Sequence, residues 1–284
     1  MEKVAIVGVG LIGASFGLAL RKTGFAGEII GVSSEAAIAA GLKRGAISQA
    51  GSLDKAATAA DLIYLAQPVE RILETIPKLA HFVRPGQLVT DAGSTKQAIV
   101  ECGQAHLAKG TFLGGHPIAG KEQRGPDAAD AELFRNRPYV LTPNGVSASN
   151  PQNATLRKTI GAFGAHILEM TPAEHDHTLA FTSHLPQLLS TALAATLAQE
   201  HDDRMDQVYG SGLLDMTRLA LSSPELWRSI LLTNKSEVEL AIDSLVKVLL
   251  GLKANLGECE MVNTFELATK FATSIRKPQP DRNT

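Results

Sequence analysis

The chain carries two cysteines in 284 residues, Cys102 and Cys259. That is too few for a disulfide framework, and they lack metal-ligand spacing. Aromatic residues are only 5 % of the total, which argues against a stacking platform for nucleic-acid bases. No long basic run disturbs a formal net charge of -2, so neither a nucleic-acid footprint nor a polybasic membrane patch is expected. No uninterrupted apolar run is long enough to span a bilayer, and no apolar signal region precedes the first strand-like segment at Lys3. No internal repeat is visible. These absences leave a cytoplasmic protein with a small-molecule partner, and with no nucleic acid or membrane to bind, as the expectation.

What is present is globular: 44 % hydrophobic and 20 % charged residues, in a length that accommodates two ordinary domains. The β-branched run Val4-Ala5-Ile6-Val7 ends in Gly8-Val9-Gly10-Leu11-Ile12-Gly13, and a helical pattern through Leu20 follows. Strand, glycine turn and helix in that order assign each glycine a task. Gly8 permits the turn, Gly10 lets backbone approach a pyrophosphate, and Gly13 lets helix and strand pack closely. The N-terminus of the helix then offers free N–H groups to the anion. Leu11 and Ile12 belong to the same turn.

A second strand, Glu28 to Val32, leads to Ser33-Ser34-Glu35. In a dinucleotide-binding fold this position faces the adenosine ribose, and an acid there favours NAD. Two serines fit either a ribose hydroxyl or a 2′-phosphate, so NAD or NADP is expected, with a lean to NADP. The same serines could instead cap the helix that follows.

Leu62 to Ala66, broken at Gln67-Pro68, and Leu88 to Asp91, followed by the turn Ala92-Gly93-Ser94-Thr95-Lys96, are further strands. Phe112 to Gly115 leads into the histidine-bearing segment Gly114-Gly-His-Pro-Ile-Ala-Gly120, which the pattern predicts to be a rigid loop after a short strand. Tyr139 to Thr142 and His166 to Glu169 are later strands. Alternation of this kind predicts an α/β fold: an N-terminal Rossmann-type, doubly wound, mostly parallel sheet. Gly8, Ser33, Pro68, Ser94 and His116 all follow strands and should share one rim, where such sheets bind ligands.

After Thr171-Pro172 no strand follows. The pattern predicts helices at His175 to Gln199, Leu213 to Leu221, Pro224 to Leu232 and Ser236 to Leu256, and a frayed polar tail from Lys277 to Thr284. An all-helical C-terminal domain at 172–284 therefore follows a dinucleotide-binding domain at 1–171.

His116 titrates near neutral pH when unperturbed. With Ser94 it could form a hydrolase pair, but there is no Gly-x-Ser-x-Gly elbow. A base aimed at a substrate hydroxyl beside a nicotinamide fits better. Arg218 suits bidentate capture of a carboxylate, and Asp215, three residues earlier, could share its helix face and fix its fork. His175, His177 and His184 raise a metal reading, yet no acid or cysteine completes a compact ligand set, so no metal is expected. His184, before the proline of Leu185-Pro186, is a candidate substrate contact.

Assembled in this order, the motifs resemble the prephenate/arogenate (cyclohexadienyl) dehydrogenase family of tyrosine biosynthesis. The resemblance rests on Gly8 to Gly13, Asp91 to Lys96, Gly114 to Gly120 with Glu122, Ser183-His184-Leu185-Pro186, and Asp-x-Thr-Arg from Asp215 to Arg218, over nearly the whole length. It implies an oxidative decarboxylation in which His116 takes the ring-hydroxyl proton as hydride leaves, with Ser94 bonded to the same hydroxyl. It also implies that Arg218 holds a substrate carboxylate, with Glu122 and His184 near the side-chain end, and that the helical domain forms a homodimer. Some members carry a second histidine where Gln187 stands; a neutral amide could face the keto group of prephenate or the ammonium of arogenate. A β-hydroxyacid-type dehydrogenase would share the layout, but its Lys-x-x-x-Asn is missing from the helical half. A non-catalytic dinucleotide-sensing dimer would leave His116, Ser94 and Arg218 unexplained.

Overall fold

In the computed structural model, which describes residues 1–143, 150–200, 202–205 and 207–276, the first apolar run becomes β1 (Lys3–Val7), the centre of the sheet. It pairs in parallel with β2 (Glu28–Val32) on one side and β4 (Leu62–Leu65) on the other. The strand order is β3-β2-β1-β4-β5-β6-β7-β8, with β3 (Gln49–Ala50), β5 (Leu88–Asp91), β6 (Thr111–Pro117), β7 (Pro138–Thr142) and β8 (His166–Glu169). Pairings are parallel except β6 with β7. The winding reverses between β1 and β4, which opens a crevice at their carboxyl ends. The polar tail from Lys277 to Thr284 lies outside the described residues.

Helices α1 (Leu11–Lys22), α2 (Glu35–Lys43), α3 (Leu53–Ala59), α4 (Val69–Leu79), α5 (Gln97–His106) and α6 (Pro151–Ala162) connect the strands. They cover both faces, so the central strands read as continuous apolar runs and alternate residues serve opposite layers. Val4 and Ile6 join Phe16, Tyr64 and Phe163 in one core, while Ala5 and Val7 join Ile63, Leu65 and Ile72 in the other. Phe16 stacks on Tyr64 with ring centroids 3.9 Å apart.

The glycine turn follows from close packing. Gly8 has φ +99°, and a Cβ there would sit 2.5 Å from the Ala66 carbonyl oxygen. A Cβ on Gly13 would sit 2.0 Å from the Gly8 carbonyl oxygen.

The histidine segment departs from expectation. Gly114, Gly115, His116 and Pro117 form no loop; they continue β6. Thr111 to Leu113 pair in parallel with β5, and Gly114 to Pro117 then pair antiparallel with β7. The two glycines serve proximity, not a turn: a Cβ on Gly114 would meet the Thr142 hydroxyl at 2.3 Å, and one on Gly115 the Asp91 carbonyl at 2.7 Å. His116 therefore projects from a strand that runs past the carboxyl end of its parallel neighbour.

The first of two compact units, Met1–Lys235, also contains α7 (Pro172–Leu179), α8 (Leu185–Gln199), α9 (Ser211–Thr217) and α10 (Pro224–Thr233). Thr171 and Glu174 close a capping box at the start of α7. The chain does not break at Pro186. A π-helical turn, Ala180–His184, joins α7 to α8, absorbing a proline that cannot donate to the preceding turn. The helix expected to reach Leu221 instead tightens into a 3₁₀ turn at Arg218–Leu221. The second unit, Ser236–Thr284, holds α11 (Lys235–Ala254) from Ser236 onward and α12 (Cys259–Arg276). The sequence reading places no helix between Leu256 and the tail, because polar and charged residues interrupt the apolar positions of α12. Among the described residues no helix is long and apolar enough to cross a membrane.

Gly13→Ala drives its new methyl against backbone and is expected to cost about 1–3 kcal/mol. Gly10 has nothing within 4 Å of a built Cβ, so Gly10→Ala should stay within about 0.5 kcal/mol of the parent. Urea midpoints of the two variants test this; equal midpoints would show that the Gly8–Gly13 contact is not a constraint.

Candidate active site

The open space over Gly10 lies at the N-terminus of α1. Gly10 is its N-cap, no side chain caps it, and no acid stands in its first turn. Free N–H groups, positive helix-end charge and a missing Cβ fit a pyrophosphate. Leu11, Ile12, Pro68, Gly93 and Ser94 line an adjoining cleft of about 410 Å³. Ser33 follows β2, and Ser34 holds the N-cap position of α2 without a side-chain bond to the helix. Its hydroxyl does not act as the cap that one reading of the sequence allowed.

Ser94 follows β5 and His116 lies in β6, its parallel neighbour. No side-chain hydrogen bond joins the two among the described residues. The partner of His116 is His175: His116 Nδ1 and His175 Nε2 are 2.9 Å apart, and His175 Nδ1 lies 2.7 Å from Asp176 Oδ1. Asp176 is fixed in turn. Its Oδ1 accepts from the Lys96 backbone N–H at 2.7 Å and its Oδ2 from that of Gln97 at 2.9 Å, which caps α5 from α7. The Lys96 ammonium is paired with Asp91 Oδ2, both side chains fully buried. Asp91 also accepts from the N–H of Gly93 at 2.8 Å and of Gly115 at 3.1 Å.

His184 is buried, at the end of the π-helical turn. Asn234 Nδ2 donates to the Asp176 carbonyl at 2.7 Å and lies 3.2 Å from His184 Nδ1. Since the Asp176 carbonyl only accepts, the amide orientation is settled, and His184 Nδ1 must accept as well. Its proton then sits on Nε2. His184 meets Trp227 edge to face, centroids 5.9 Å apart.

Burial dominates the electrostatics. It holds His116 well below the ordinary 6.5, and the neighbouring His175 ring, Lys96 ammonium and His184 ring each oppose a charge there as well. Burial also lowers His175 against the opposing pull of Asp176. His184 is pushed down to about 4, again chiefly by burial. All three imidazoles are neutral at neutral pH, and His116 stands ready to accept a proton.

The carboxylate anchor is arranged differently from expectation. Asp215, in α9, and Arg218, the first residue of the 3₁₀ turn, do not pair. Arg218 Nη1 instead faces Glu122 Oε1 at 3.7 Å, both side chains largely exposed. Asp215 and Arg218 line a separate, apolar cavity of about 1120 Å³ with Tyr209, Leu213 and Leu221. Glu122 connects the two regions, since its neighbours Lys121 and Gln123 line the cleft of Ser94. Gln187 is buried; its Nε2 donates to the Leu219 carbonyl at 2.8 Å, while its Oε1 has no partner among the described residues.

The sequence offers His175 only as a metal candidate and gives no role to Asp176 or Asn234. Among the described residues no group of three or more His, Cys, Asp or Glu gathers to hold a metal ion. An acid directly after His175, one turn into a capped helix, was the available signal.

A glycine turn built for an anion, with a neutral imidazole on the same rim, defines a dinucleotide-dependent dehydrogenase. The profile of the prephenate dehydrogenase nucleotide-binding domain matches residues 16–169, and that of the prephenate dehydrogenase dimerization domain matches 171–270. Prephenate dehydrogenase of Bacillus subtilis (strain 168) is 34% identical over 274 residues, 93% of this chain and 72% of that one. The crystal structure of prephenate dehydrogenase from A. aeolicus with hydroxyphenyl propionate and NAD+ superposes with a TM-score of 0.91 at 32% identity, covering 97% of this chain and 98% of that one. Synechocystis arogenate dehydrogenase gives a TM-score of 0.83 at 32% identity, covering 96% and 99%. The chain belongs to the prephenate dehydrogenase family.

Three histidines that stay neutral in the fold make stability pH-dependent. Unfolded, they take up protons below about 6.5; folded, they resist, so stability is full above that pH and falls as pH drops through the lowered values. His184, neutral down to about 4, contributes about 3 kcal/mol of this loss. The thermal midpoint should therefore fall between pH 6.5 and 4, less steeply in His184→Asn. Parallel curves for the two proteins would show that His184 charges freely in the fold.

Proposed function

We propose that this chain catalyses the oxidative decarboxylation of prephenate to 4-hydroxyphenylpyruvate, or of arogenate to tyrosine, in tyrosine biosynthesis. The observation that carries the assignment of roles is His116 Nδ1 held 2.9 Å from His175 Nε2, on the strand beside the one that leads to Ser94. When bound, a nicotinamide dinucleotide supplies the hydride acceptor. His116 takes the proton of the ring hydroxyl as its carbon gives up hydride, so the carbon–oxygen double bond forms without a developing cation. Ser94, whose hydroxyl has no hydrogen-bond partner among the described residues, bonds the same substrate oxygen. The ring carboxylate leaves as CO₂, its bonding electrons complete the aromatic ring, and the imidazolium of His116 returns its proton to the phenolate.

Gly8, Gly10, Leu11, Ile12 and Gly13 hold the pyrophosphate end, with Pro68 along the same rim. Either NAD or NADP is accepted, with a lean to NADP: no acid stands at Ser33, and the Ser34 hydroxyl is not spent on its helix. Arg218 holds a substrate carboxylate, exchanging its long, exposed contact with Glu122, which is worth little in water, for a bidentate one. Glu122, His184 and Gln187 face the side-chain end. Residues 1–171 bind the dinucleotide, and 172–284 bind substrate and pair two copies in the cytoplasm.

Incubation with prephenate or arogenate and each cofactor, followed by the absorbance of the reduced nicotinamide, tests the reaction; no turnover in any combination would sink it. His116→Asn should cut kcat by about 10²–10⁴ with dinucleotide affinity kept. In the parent protein the acid limb of kcat/KM should lie well below pH 6.5, because His116 is lowered, and the variant should lack that limb. Near-normal kcat in His116→Asn would place the base elsewhere.

Arg218→Ala is expected to raise KM steeply at unchanged dinucleotide affinity, a loss of roughly 2–5 kcal/mol for a carboxylate left unpaired. An unaltered KM would confine Arg218 to its contact with Glu122.

A further inference from the structure

We infer that Asp176 and His175 act as a positioning pair that fixes His116 in the Nδ1–H tautomer, leaving its Nε2 lone pair as the proton acceptor. The inference rests on His116 as the base and specifies how that base is set. A carboxylate can only accept, so His175 Nδ1, 2.7 Å from Asp176 Oδ1, carries a hydrogen. A neutral His175 then has a lone pair on Nε2. His116 Nδ1, 2.9 Å away, must therefore donate to it. The alternative, a cationic His175 donating to His116, would place a charge at 0 % exposure, where burial already lowers its affinity for a proton and the Lys96 ammonium opposes it further. The groups facing His116 are His175, Lys96 and His184, with Asp91 and Asp176 behind them.

The pair is rigid at each joint. Two backbone N–H groups hold the Asp176 carboxylate, Asn234 holds its carbonyl, and the capping box fixes the first turn of its helix. When the substrate O–H bond breaks and an N–H forms at His116 Nε2, the ring becomes a cation. Its Nδ1–H bond to His175 is then charge-assisted and shorter. No proton need pass to Asp176, as in other carboxylate-oriented histidines.

Side-chain ¹⁵N NMR on the whole protein, with His116→Asn used for assignment, reads the tautomers directly. In the parent at pH 7.5, His116 and His175 should both carry their hydrogen on Nδ1. His175→Phe removes the acceptor: His116 should become a mixture of tautomers, and kcat should fall roughly 10- to 10³-fold, short of the full loss of a base. KM and dinucleotide Kd should stay within about twofold, since neither ligand touches His175. His175→Gln, whose carbonyl oxygen can accept from His116, should recover most of the rate. An Nε2–H tautomer in the parent overturns the inference. So does unchanged kcat in His175→Phe, or a loss that glutamine does not relieve. If His175→Phe fails to fold, the parent spectrum still decides. Near-normal kcat in His116→Asn would sink the base assignment instead, while the spectrum continues to report whether the pair sets the ring.

Discussion

The carboxylate of Asp176 is the joint on which this site depends. It belongs to a helix of the C-terminal half, yet it caps α5, which begins just beyond the strand-end turn carrying Ser94. The same oxygen that takes the Lys96 N–H also takes the hydrogen of His175. One buried anion thus satisfies two orphan donors of a helix and orients an imidazole on another element. Burying a carboxylate is tolerable only with such compensation, and three hydrogen bonds with a helix N-terminus supply it.

Beneath it lies the Asp91–Lys96 pair, with both side chains out of solvent. An ion pair so placed is a poor source of stability, because desolvation offsets its attraction. Its observable effect is geometric. Asp91 draws in the N–H of Gly93 on one side and of Gly115 on the other, and so sets the spacing between the turn that carries Ser94 and the strand that carries His116. The bare Cα positions of Gly114 and Gly115 make that spacing attainable.

Sequence legibility followed the range of the interactions. The glycine turn, the alternating strands and helices, and the prominence of His116 all depend on residues close in the chain, and all could be read there. The continuation of β6 through Gly114 to Pro117 could not, because glycine and proline signal a loop locally while the partners, Tyr139 to Thr142, come later in sequence. Asp215 with Arg218 reads as a helical pair by spacing, but Arg218 faces Glu122, a residue distant in the chain. His175 was misweighed for the same reason. Its meaning lies in His116, 59 residues away, and the acid that follows it in the chain is the one local sign of a positioning role.

The reversal of direction between β6 and β7 has an architectural consequence. A parallel successor would have required a crossover helix on the face of the sheet. The antiparallel one returns through residues 118–137, so this segment starts at the rim where His116 stands and contributes Lys121, Gln123 and Arg124 to the cleft wall. Its far end is moored: the Asp130 N–H bonds Ser15 on α1, and Arg44 holds the carbonyls of Asp127 and Ala129. The stretch before the mooring carries no strand pairing. One wall of the cleft is thereby held at its two ends, by β6 and by these three bonds, and not along its length by the ladder of the sheet.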